Sequence, residues 1–294
     1  MAKLINKIIL HKVNRVNRAR KIKQQTLIQQ FKNIIKNKIE ELNKNIQIWN
    51  NYVRLNRPFK LTNTYNSIIP LNLYICWHNK DLPPFMKENV DQLIADNPEF
   101  NVQLYDDNEC REFIEQNFDN SVLYAFDNLI PGAFKADLWR YCMLYVNGGI
   151  YLDIKYKCVN GFKLIALTEK EHFVKDYLID NRIYTALMVT LPKNQILLNC
   201  INRIITNVNH KYYGNDALEP TGPALLGSYF NGEEINRFNL YHSHSHIKYK
   251  LDEWYIVYNN SIIMKIYNKY REEQTNFQKT QHYYKLWVDR NIYK

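Results

Sequence analysis

Apolar side chains near the N-terminus recur every three or four residues, which is the spacing of one face of a helix. They are Ile28, Phe31, Ile35, Ile39, Leu42, Ile46 and Trp49. Lys, Asn and Gln fill the positions between them, so the pattern predicts an amphipathic helix. Arg57-Pro58 ends it because proline cannot continue a helix. Polar residues then predict a linker, and we expect a helical arm and linker over residues 1–66.

Residues 67–294 show a different pattern, in which short β-like runs alternate with helical runs. This alternation predicts an α/β sheet with helices on its faces. The predicted strands cover residues 71–77, 101–105, 150–157 and 183–190, and the predicted helices cover 87–96, 109–117, 133–145 and 194–208. Ligands of such sheets bind at the carboxyl ends of the strands, which here lie near Trp77, Asp107 and Asp153.

The net charge of +10 belongs to the arm. Residues 1–60 hold 15 Lys and Arg against 2 Glu, which leaves 24 basic and 27 acidic residues elsewhere. A polyanion argument therefore applies to the arm only. Docking of the arm or self-association into a homodimer is favoured over contact with a membrane surface. Nucleic acid is the least favoured partner because no recognition module accompanies the charge.

The five cysteines form no C-x-x-C pair, which favours reduced, buried thiols over disulfides or a metal site. The apolar run from Leu4 to Leu10 is broken by Asn6 and Lys7 and lacks a small-residue cleavage site, so no signal peptide is predicted. A cytoplasmic location follows, peripheral to a membrane if the arm binds lipid.

Charged residues surround a glycine pair at 148–149. Asp137 and Arg140 lie three apart and share one face of an apolar helix, while Asp153 and Lys155 share one face of the strand that follows. Taken singly, each is explained by a surface ion pair or a solvated carboxylate. Burying several charges is costly unless they pair or bind a ligand, so the combination predicts a charged-ligand site. The glycines are expected to let that ligand approach the backbone.

Two segments, KADLWRY at 135–141 and GGIYLD at 148–153, resemble the DxD-containing sugar-binding region of glycosyltransferase family 32. IPLNLYICW at 69–77 is similar to the opening strand of that family, and Thr221-Gly222-Pro223 fits a loop in its second half. The resemblance implies a GT-A (Rossmann-like) domain and a hexosyltransferase-like enzyme. Such an enzyme transfers a sugar from a nucleotide-diphosphate sugar to a glycan, glycolipid or protein acceptor, with retention of anomeric configuration.

The resemblance also implies roles for matching positions. Trp77 would stack on or border the nucleobase, although a core aromatic side chain at a strand end is nearly as good an explanation. Asp137 and Arg140 would bind the donor sugar, and Asp153 would face the ribose and a diphosphate-bound Mn²⁺ or Mg²⁺. The donor-binding set is Trp77, Asp137, Arg140, Tyr151, Asp153 and Lys155. No catalytic residue is assigned, because the departing phosphate can deprotonate the acceptor in a retaining transfer.

Lys155 departs from the family, because it stands where the second carboxylate of D-x-D is expected. A protonated lysine cannot bind a cation. Either a metal binds through Asp153 and other groups, or Lys155 itself offsets the diphosphate charge, or catalysis has been lost. Alternating histidines share one face of a strand, and imidazole is a common metal ligand. His244 and His246 are therefore candidates to complete a metal site with Asp153, with a solvated strand or loop as the alternative.

A loop in the second half supplies the candidates for acceptor contacts. Asp216, Glu219 and Thr221 lie in or just before the Thr-Gly-Pro segment, although carboxylates that only stabilise the loop explain the first two as well. Glycosyl transfer is the favoured function. The alternatives are a catalytically impaired GT-A binding or adaptor protein, and a membrane-surface or polyanion-binding protein that acts through its arm.

Overall fold

The computed structural model describes residues 2–176, 179, 181–278 and 280–294, with side chains described from residue 10 onwards. Most of the Leu4–Leu10 run therefore lies outside the described side chains. The chain divides into two units, Met1–Val53 and Arg54–Lys294.

The first unit is formed by a single helix, α1, over Ala2–Leu55. It contains the predicted helix at residues 28–49 and extends it by about seven turns at the N-terminal end. It ends at Leu55, just before Arg57-Pro58. The side chains of its apolar stripe are exposed, for example Phe31 at 64% and Ile39 at 53%. Among the described helices, none has the length and apolar content that a membrane span requires.

One mixed sheet forms the centre of the second unit. Within the described residues its strands are β1 (Asn72–Cys76), β2 (Asn101–Tyr105), β3 (Gly149–Leu152), β4 (Tyr156–Cys158), β5 (His172–Asp176), β6 (Ile183–Thr190), β7 (Leu240–Ile247), β8 (Leu251–Tyr258) and β9 (Ser261–Ile266). They lie in the order β2-β1-β3-β6-β5-β7-β8-β9-β4. β1 pairs in parallel with β2 and β3, and β5 with β7, whereas the remaining pairs are antiparallel.

The sheet is curled, and the connection from β3 to β4 shows why. Leu152 and Tyr156 are four residues apart, a span of at most about 14 Å. Six strand spacings separate β3 from β4 in the sheet order, which would be about 29 Å in a flat sheet. The far edge of the sheet must therefore bend back towards β3. This bend brings β7, β8 and β9 close to the turn at residues 153–155.

Helices cover both faces of the sheet. They are α2 (Pro84–Asp96), α3 (Asp107–Asn117), α4 (Asn120–Asn128), α5 (Gly132–Asn147), α6 (Gln195–Asn209), α7 (Pro223–Gly227), α8 (Gly232–Asn236), α9 (Tyr270–Phe277) and α10 (Tyr283–Val288). Tyr74 and Tyr151 pack into a core with α3 to α6, whereas their neighbours Leu73 and Ile150 pack into a second core with α2. Alternate strand residues thus face opposite helical layers, and the predicted α/β class is confirmed.

The predicted strand at residues 150–157 is wrong in one respect, because it is two strands. β3 ends at Leu152, and residues 153–155 form a turn closed by the Tyr156 N–H, which donates to the Asp153 carbonyl at 3.0 Å. The break arises because the two halves pair with different strands. β3 lies between β1 and β6, whereas β4 pairs with β9.

The glycine pair has the positive φ angles expected of it, +62° at Gly148 and +108° at Gly149. The expectation that a ligand approaches it is wrong. A Cβ at Gly148 would lie 2.7 Å from the Pro192 ring, and one at Gly149 would lie 2.7 Å from the Asn72 carbonyl oxygen. The pair therefore permits close packing of protein against protein, at the opposite end of β3 from Asp153.

Candidate active site

A cavity of about 470 Å³ opens at the carboxyl ends of β1 and β3. Its wall includes the first turn of α5, the turn after β3, and parts of β6, β7, β8 and α9. The structure brings the whole predicted donor-binding set to this wall, namely Trp77, Asp137, Arg140, Tyr151, Asp153 and Lys155. The fold thus gathers residues that are distant in sequence at the edge of the sheet where α/β proteins bind ligands.

Four charged side chains form one connected cluster in the wall. The guanidinium of Arg140 lies 3.4 Å from Asp137 Oδ1 and 3.4 Å from Asp153 Oδ1. The ammonium of Lys155 donates to Asp153 Oδ2 at 2.6 Å. Two carboxylates and two cations therefore balance to a net charge of zero. All four side chains are largely buried, from 7% exposed for Arg140 to 21% for Asp153.

Arg140 is held in place from three sides. Its Nη1 donates to the Thr185 carbonyl at 2.8 Å, and its Nε donates to the Ala136 carbonyl at 3.1 Å. Its guanidinium lies 4.3 Å from the centre of the Tyr151 ring, within the range of a cation–π contact. The Tyr151 hydroxyl in turn donates to Asp153 Oδ1 at 2.7 Å. Such a network fixes the charges before any ligand binds.

The cluster also sets the charge states of its members. Burial would raise the pKa of Asp153, but the positive charges of Lys155 and Arg140 outweigh it and hold that pKa well below its usual range. Burial would lower the pKa of Lys155, but Asp153 and Tyr184 raise it above its usual value. Burial raises the pKa of Asp137, an effect that Arg140 and the Thr221 hydroxyl partly offset. Lys155 therefore carries a proton and Asp153 does not.

The Thr-Gly-Pro loop completes one side of the cluster. The Thr221 hydroxyl donates to Asp137 Oδ2 at 2.8 Å, and both groups are buried. The other two candidates of this loop hold the protein together. Asp216 pairs with Arg182 at 2.6 Å, and Glu219 accepts from the Tyr212 hydroxyl at 2.8 Å.

The predicted metal-binding set of Asp153, His244 and His246 does not come together in the described part of the chain. His244 Nε2 and His246 Nδ1 lie 2.5 Å and 3.5 Å from Asp252 Oδ1, on the β7–β8 hairpin. Of the three alternating histidines, His242 is the one at the cavity wall, where its ring stacks on Tyr184 with centroids 3.8 Å apart.

Several residues of the site were not predicted from the sequence, and two of them bear directly on the charges of the cavity. Asn89 donates to the carbonyl oxygens of Ile154 and Tyr156, each at 3.0 Å, and thereby clamps the turn that carries Asp153 and Lys155. The sequence did contain an indication of this role, because Asn89 interrupts the apolar stripe of α2. The other residue is Arg271 on α9, which lines the cavity and for which no local pattern exists.

Residues 83–173 match the family described as glycosyltransferase sugar-binding region containing DXD motif. Over that region, which is about a third of the chain, the protein resembles the glycosyltransferases of this sugar-binding family. The matched region contains Asp137, Arg140, Tyr151, Asp153 and Lys155. The mixed sheet flanked by helices agrees with the α/β class that the resemblance implies.

Two proteins resemble this chain. Uncharacterized glycosyltransferase L373 of Acanthamoeba polyphaga mimivirus is 29% identical over 93 residues, which are 31% of this chain and 37% of that relative. The solved PaToxG glycosyltransferase is 16% identical with a TM-score of 0.43, and the alignment covers 65% of this chain and 77% of that one. The chain thus spans little more than a third of the mimivirus relative.

Members of the DXD family generally bind a divalent metal ion, and the surroundings of Asp153 do not suit one. Both carboxylate oxygens of Asp153 are engaged, Oδ1 by Tyr151 and Oδ2 by Lys155. Asp137, another carboxylate of the cavity wall, already accepts from Thr221 and pairs with Arg140. Mg²⁺ and Mn²⁺ require several oxygen ligands, and a protonated lysine offers none.

Proposed function

We propose that this protein transfers a sugar from a nucleotide-diphosphate sugar to a glycan, glycolipid or protein acceptor, with retention of anomeric configuration. The observation that carries this proposal is the buried cluster of Asp137, Arg140, Asp153 and Lys155 in the wall of the cavity. The volume of about 470 Å³ suits a small-molecule ligand, since such pockets measure roughly 300 to 1,000 Å³.

Asp137 and Arg140 suit the recognition of sugar hydroxyls. A carboxylate accepts hydrogen bonds from hydroxyl groups, and a guanidinium donates to their oxygens. Both side chains are already ordered by protein contacts, so binding a sugar would cost little side-chain entropy. Because these charged groups are buried, each of their hydrogen bonds is also stronger than the same bond would be in water.

Lys155 and Arg271 supply positive charge for the diphosphate in place of Mn²⁺ or Mg²⁺. Lys155 is compensated by Asp153 before the donor binds. The charge of Arg271 is not compensated in this way. Its guanidinium bonds the neutral Gln274 at 2.8 Å, and the described residues place no carboxylate against it. The first turn of α5, at Gly132 and Ala133, also lines the cavity. Helix N-termini favour anions.

Trp77 suits the nucleobase end of the donor. It lines the cavity, and its indole Nε1 is buried without a hydrogen-bond partner. A base or ribose oxygen placed beside it would satisfy this donor. The ring of His78 lies 4.7 Å from that of Trp77, with the two planes tilted by 49°.

The transfer itself needs few protein groups in this scheme. The bond from the anomeric carbon to the diphosphate breaks, the acceptor oxygen forms a new bond to that carbon on the same face, and the departing phosphate accepts the proton of the acceptor hydroxyl. The cavity would position the two reactants and stabilise the departing negative charge.

The decisive experiment combines binding with turnover. A panel of nucleotide-diphosphate sugars is added to the full chain with EDTA or with Mn²⁺, and the thermal shift and slow donor hydrolysis are measured. We expect one donor to raise Tm and to be hydrolysed, and Asp137→Asn to weaken its binding at least tenfold. The matched control is Asp91→Asn, an exposed position on α2. Binding without hydrolysis would favour the adaptor alternative, and no shift with any donor would refute the proposal.

A further inference from the structure

The β7–β8 hairpin places three potential metal ligands around one point outside the donor cavity. In the strand register His246 lies opposite Asp252, and His244 lies opposite Trp254. The ligand atoms are His244 Nε2, His246 Nδ1 and Asp252 Oδ1, and all lie within 4.8 Å of one another. None of the three residues is part of the donor-cavity wall.

Their spacing fits a first-row transition metal. Zn²⁺ binds imidazole nitrogen and carboxylate oxygen at about 2.0 to 2.2 Å, so neighbouring ligand atoms in a tetrahedral site lie about 3.4 Å apart. The separations from Asp252 Oδ1 are 2.5 Å to His244 and 3.5 Å to His246. Side-chain adjustments of less than 1 Å would bring both to the ideal value. Two histidines and one carboxylate leave further positions for water or a fourth ligand.

The histidines are oriented by the strand itself. His244 and His246 are two residues apart and so lie on one face of β7. Ser245 faces the other way and is buried against the Tyr255 hydroxyl at 2.7 Å. The His244 ring stacks on Trp254 with centroids 4.1 Å apart and planes 9° apart. This contact restricts the ring while its Nε2 points to Asp252, which lowers the entropy cost of binding an ion.

We propose that His244, His246 and Asp252 bind a transition-metal ion of the Zn²⁺ class. Imidazole nitrogen favours Zn²⁺, Co²⁺ and Ni²⁺ over Mg²⁺ and Ca²⁺, which prefer oxygen ligands. The ion would tie β7 to β8 next to Trp254, a residue of the donor cavity. This proposal does not depend on glycosyl transfer, because the ligands and the donor residues are different sets.

Calorimetric titration of the tag-free full chain with Zn²⁺ tests the site, with the visible spectrum of bound Co²⁺ as a second readout. We expect one equivalent of Zn²⁺ to bind and Mg²⁺ to give no binding. His246→Ala and Asp252→Asn should each weaken Zn²⁺ binding at least tenfold. The control His11→Ala, on α1, should bind as the wild type does. Thermal melts in EDTA establish that the variants fold.

Equal Zn²⁺ affinity in the wild type and in His246→Ala would overturn the proposal and leave a hydrogen-bonded His–Asp pair. Loss of Zn²⁺ binding in Asp153→Asn, with binding retained in His246→Ala, would also overturn it, because the ion would then belong to the donor cavity.

Discussion

The ammonium group of Lys155 lies 2.6 Å from Oδ2 of Asp153, at the position where the DXD motif supplies its second carboxylate. A single side chain thus changes the local charge by two units relative to the motif. The other oxygen of Asp153 faces Tyr151 and Arg140, so the carboxylate is satisfied within the protein. In the proposed scheme, Lys155 takes the place of an exchangeable cation.

Donor binding should therefore not require a metal in the wild type and should require one in Lys155→Asp. The variant restores two carboxylates and removes the competing ammonium, so Mn²⁺ takes over the counter-charge that Lys155 supplied. We expect EDTA to leave the wild-type Kd unchanged and to weaken the variant at least tenfold, with recovery in Mn²⁺. Lys170→Asp, at an exposed position, is the control. Loss of donor binding in EDTA in both the wild type and His246→Ala, which lacks the proposed hairpin ion, would contradict this.

The stability contributed by Asp153 should depend on pH. Its folded pKa is depressed below the value of about 3.9 typical of unfolded Asp. Its contribution is therefore complete above about pH 4 and is lost as the pH falls towards the folded pKa. Asp153→Asn leaves Lys155 without its anion and Arg140 paired with Asp137 alone, at a cost of about 3 to 5 kcal/mol at pH 7.

Urea unfolding at pH 7 and pH 3 measures this effect. The difference between the wild type and Asp153→Asn should shrink at pH 3. Asp91→Asn breaks an exposed pair with Lys87 and should change the free energy of unfolding little at either pH. A difference that stays constant between the two pH values would argue against a depressed pKa.

Asn89→Ala should loosen the turn that carries Asp153 and Lys155. The change removes two hydrogen bonds and leaves two buried carbonyl oxygens unsatisfied, which costs about 1 to 3 kcal/mol. Because the turn positions the charge cluster, donor Kd should rise as well. Gln92→Ala, on the exposed face of the same helix, controls for helix propensity. Unchanged donor affinity at reduced stability would limit Asn89 to a structural role.

Arg271→Met should weaken donor binding without affecting the fold. Arg271 is exposed at the cavity and bonds Gln274, so its removal leaves no buried charge. We expect the Kd of a nucleoside diphosphate to rise about tenfold and the affinity for the free nucleoside to stay constant. Tm should match the wild type, and Arg203→Met, on α6, serves as control. An equal loss for nucleoside and diphosphate would exclude a phosphate contact.

Gly149→Ala should destabilise the protein strongly. The φ of +108° disfavours any side chain, and the added Cβ would lie 2.7 Å from the Asn72 carbonyl oxygen. We expect a loss above about 2 kcal/mol by urea unfolding, which is typical of strained backbone. Gly232→Ala meets open space at the start of α8 and should be neutral. Similar values for the two variants would refute the packing role.

The local sequence pattern predicted much of the fold and part of the set of residues that line the cavity. β2 and β6 have the predicted bounds, β2 as a short segment that alternates polar and apolar residues and β6 as a mostly apolar run. The turn at 153–155 was missed because Leu152, Ile154 and Tyr156 are buried alternately, as in a continuous strand. The exchange of pairing partners that causes the turn is a long-range event, and no local pattern encodes it.

Long-range strand pairing also explains why some site residues were not predicted. Arg271 reaches the cavity because the sheet curls, and Asp252 meets His246 because of the hairpin register. In both cases the sequence separation carries no information until the strands are paired. Asn89 is different, because a polar residue in the buried stripe of α2 could have been recognised as a clamp.

Trp254 belongs to the donor cavity and also stacks on His244, with its centroid 5.1 Å from that of His242. Indole fluorescence responds to the polarity, charge and metal content of its immediate surroundings. Trp254 is therefore a native fluorescent reporter that lies between the donor cavity and the proposed metal site. A nucleotide would alter its emission from one side and a quenching ion such as Co²⁺ from the other, so the two occupancies could be followed in one cuvette without any label.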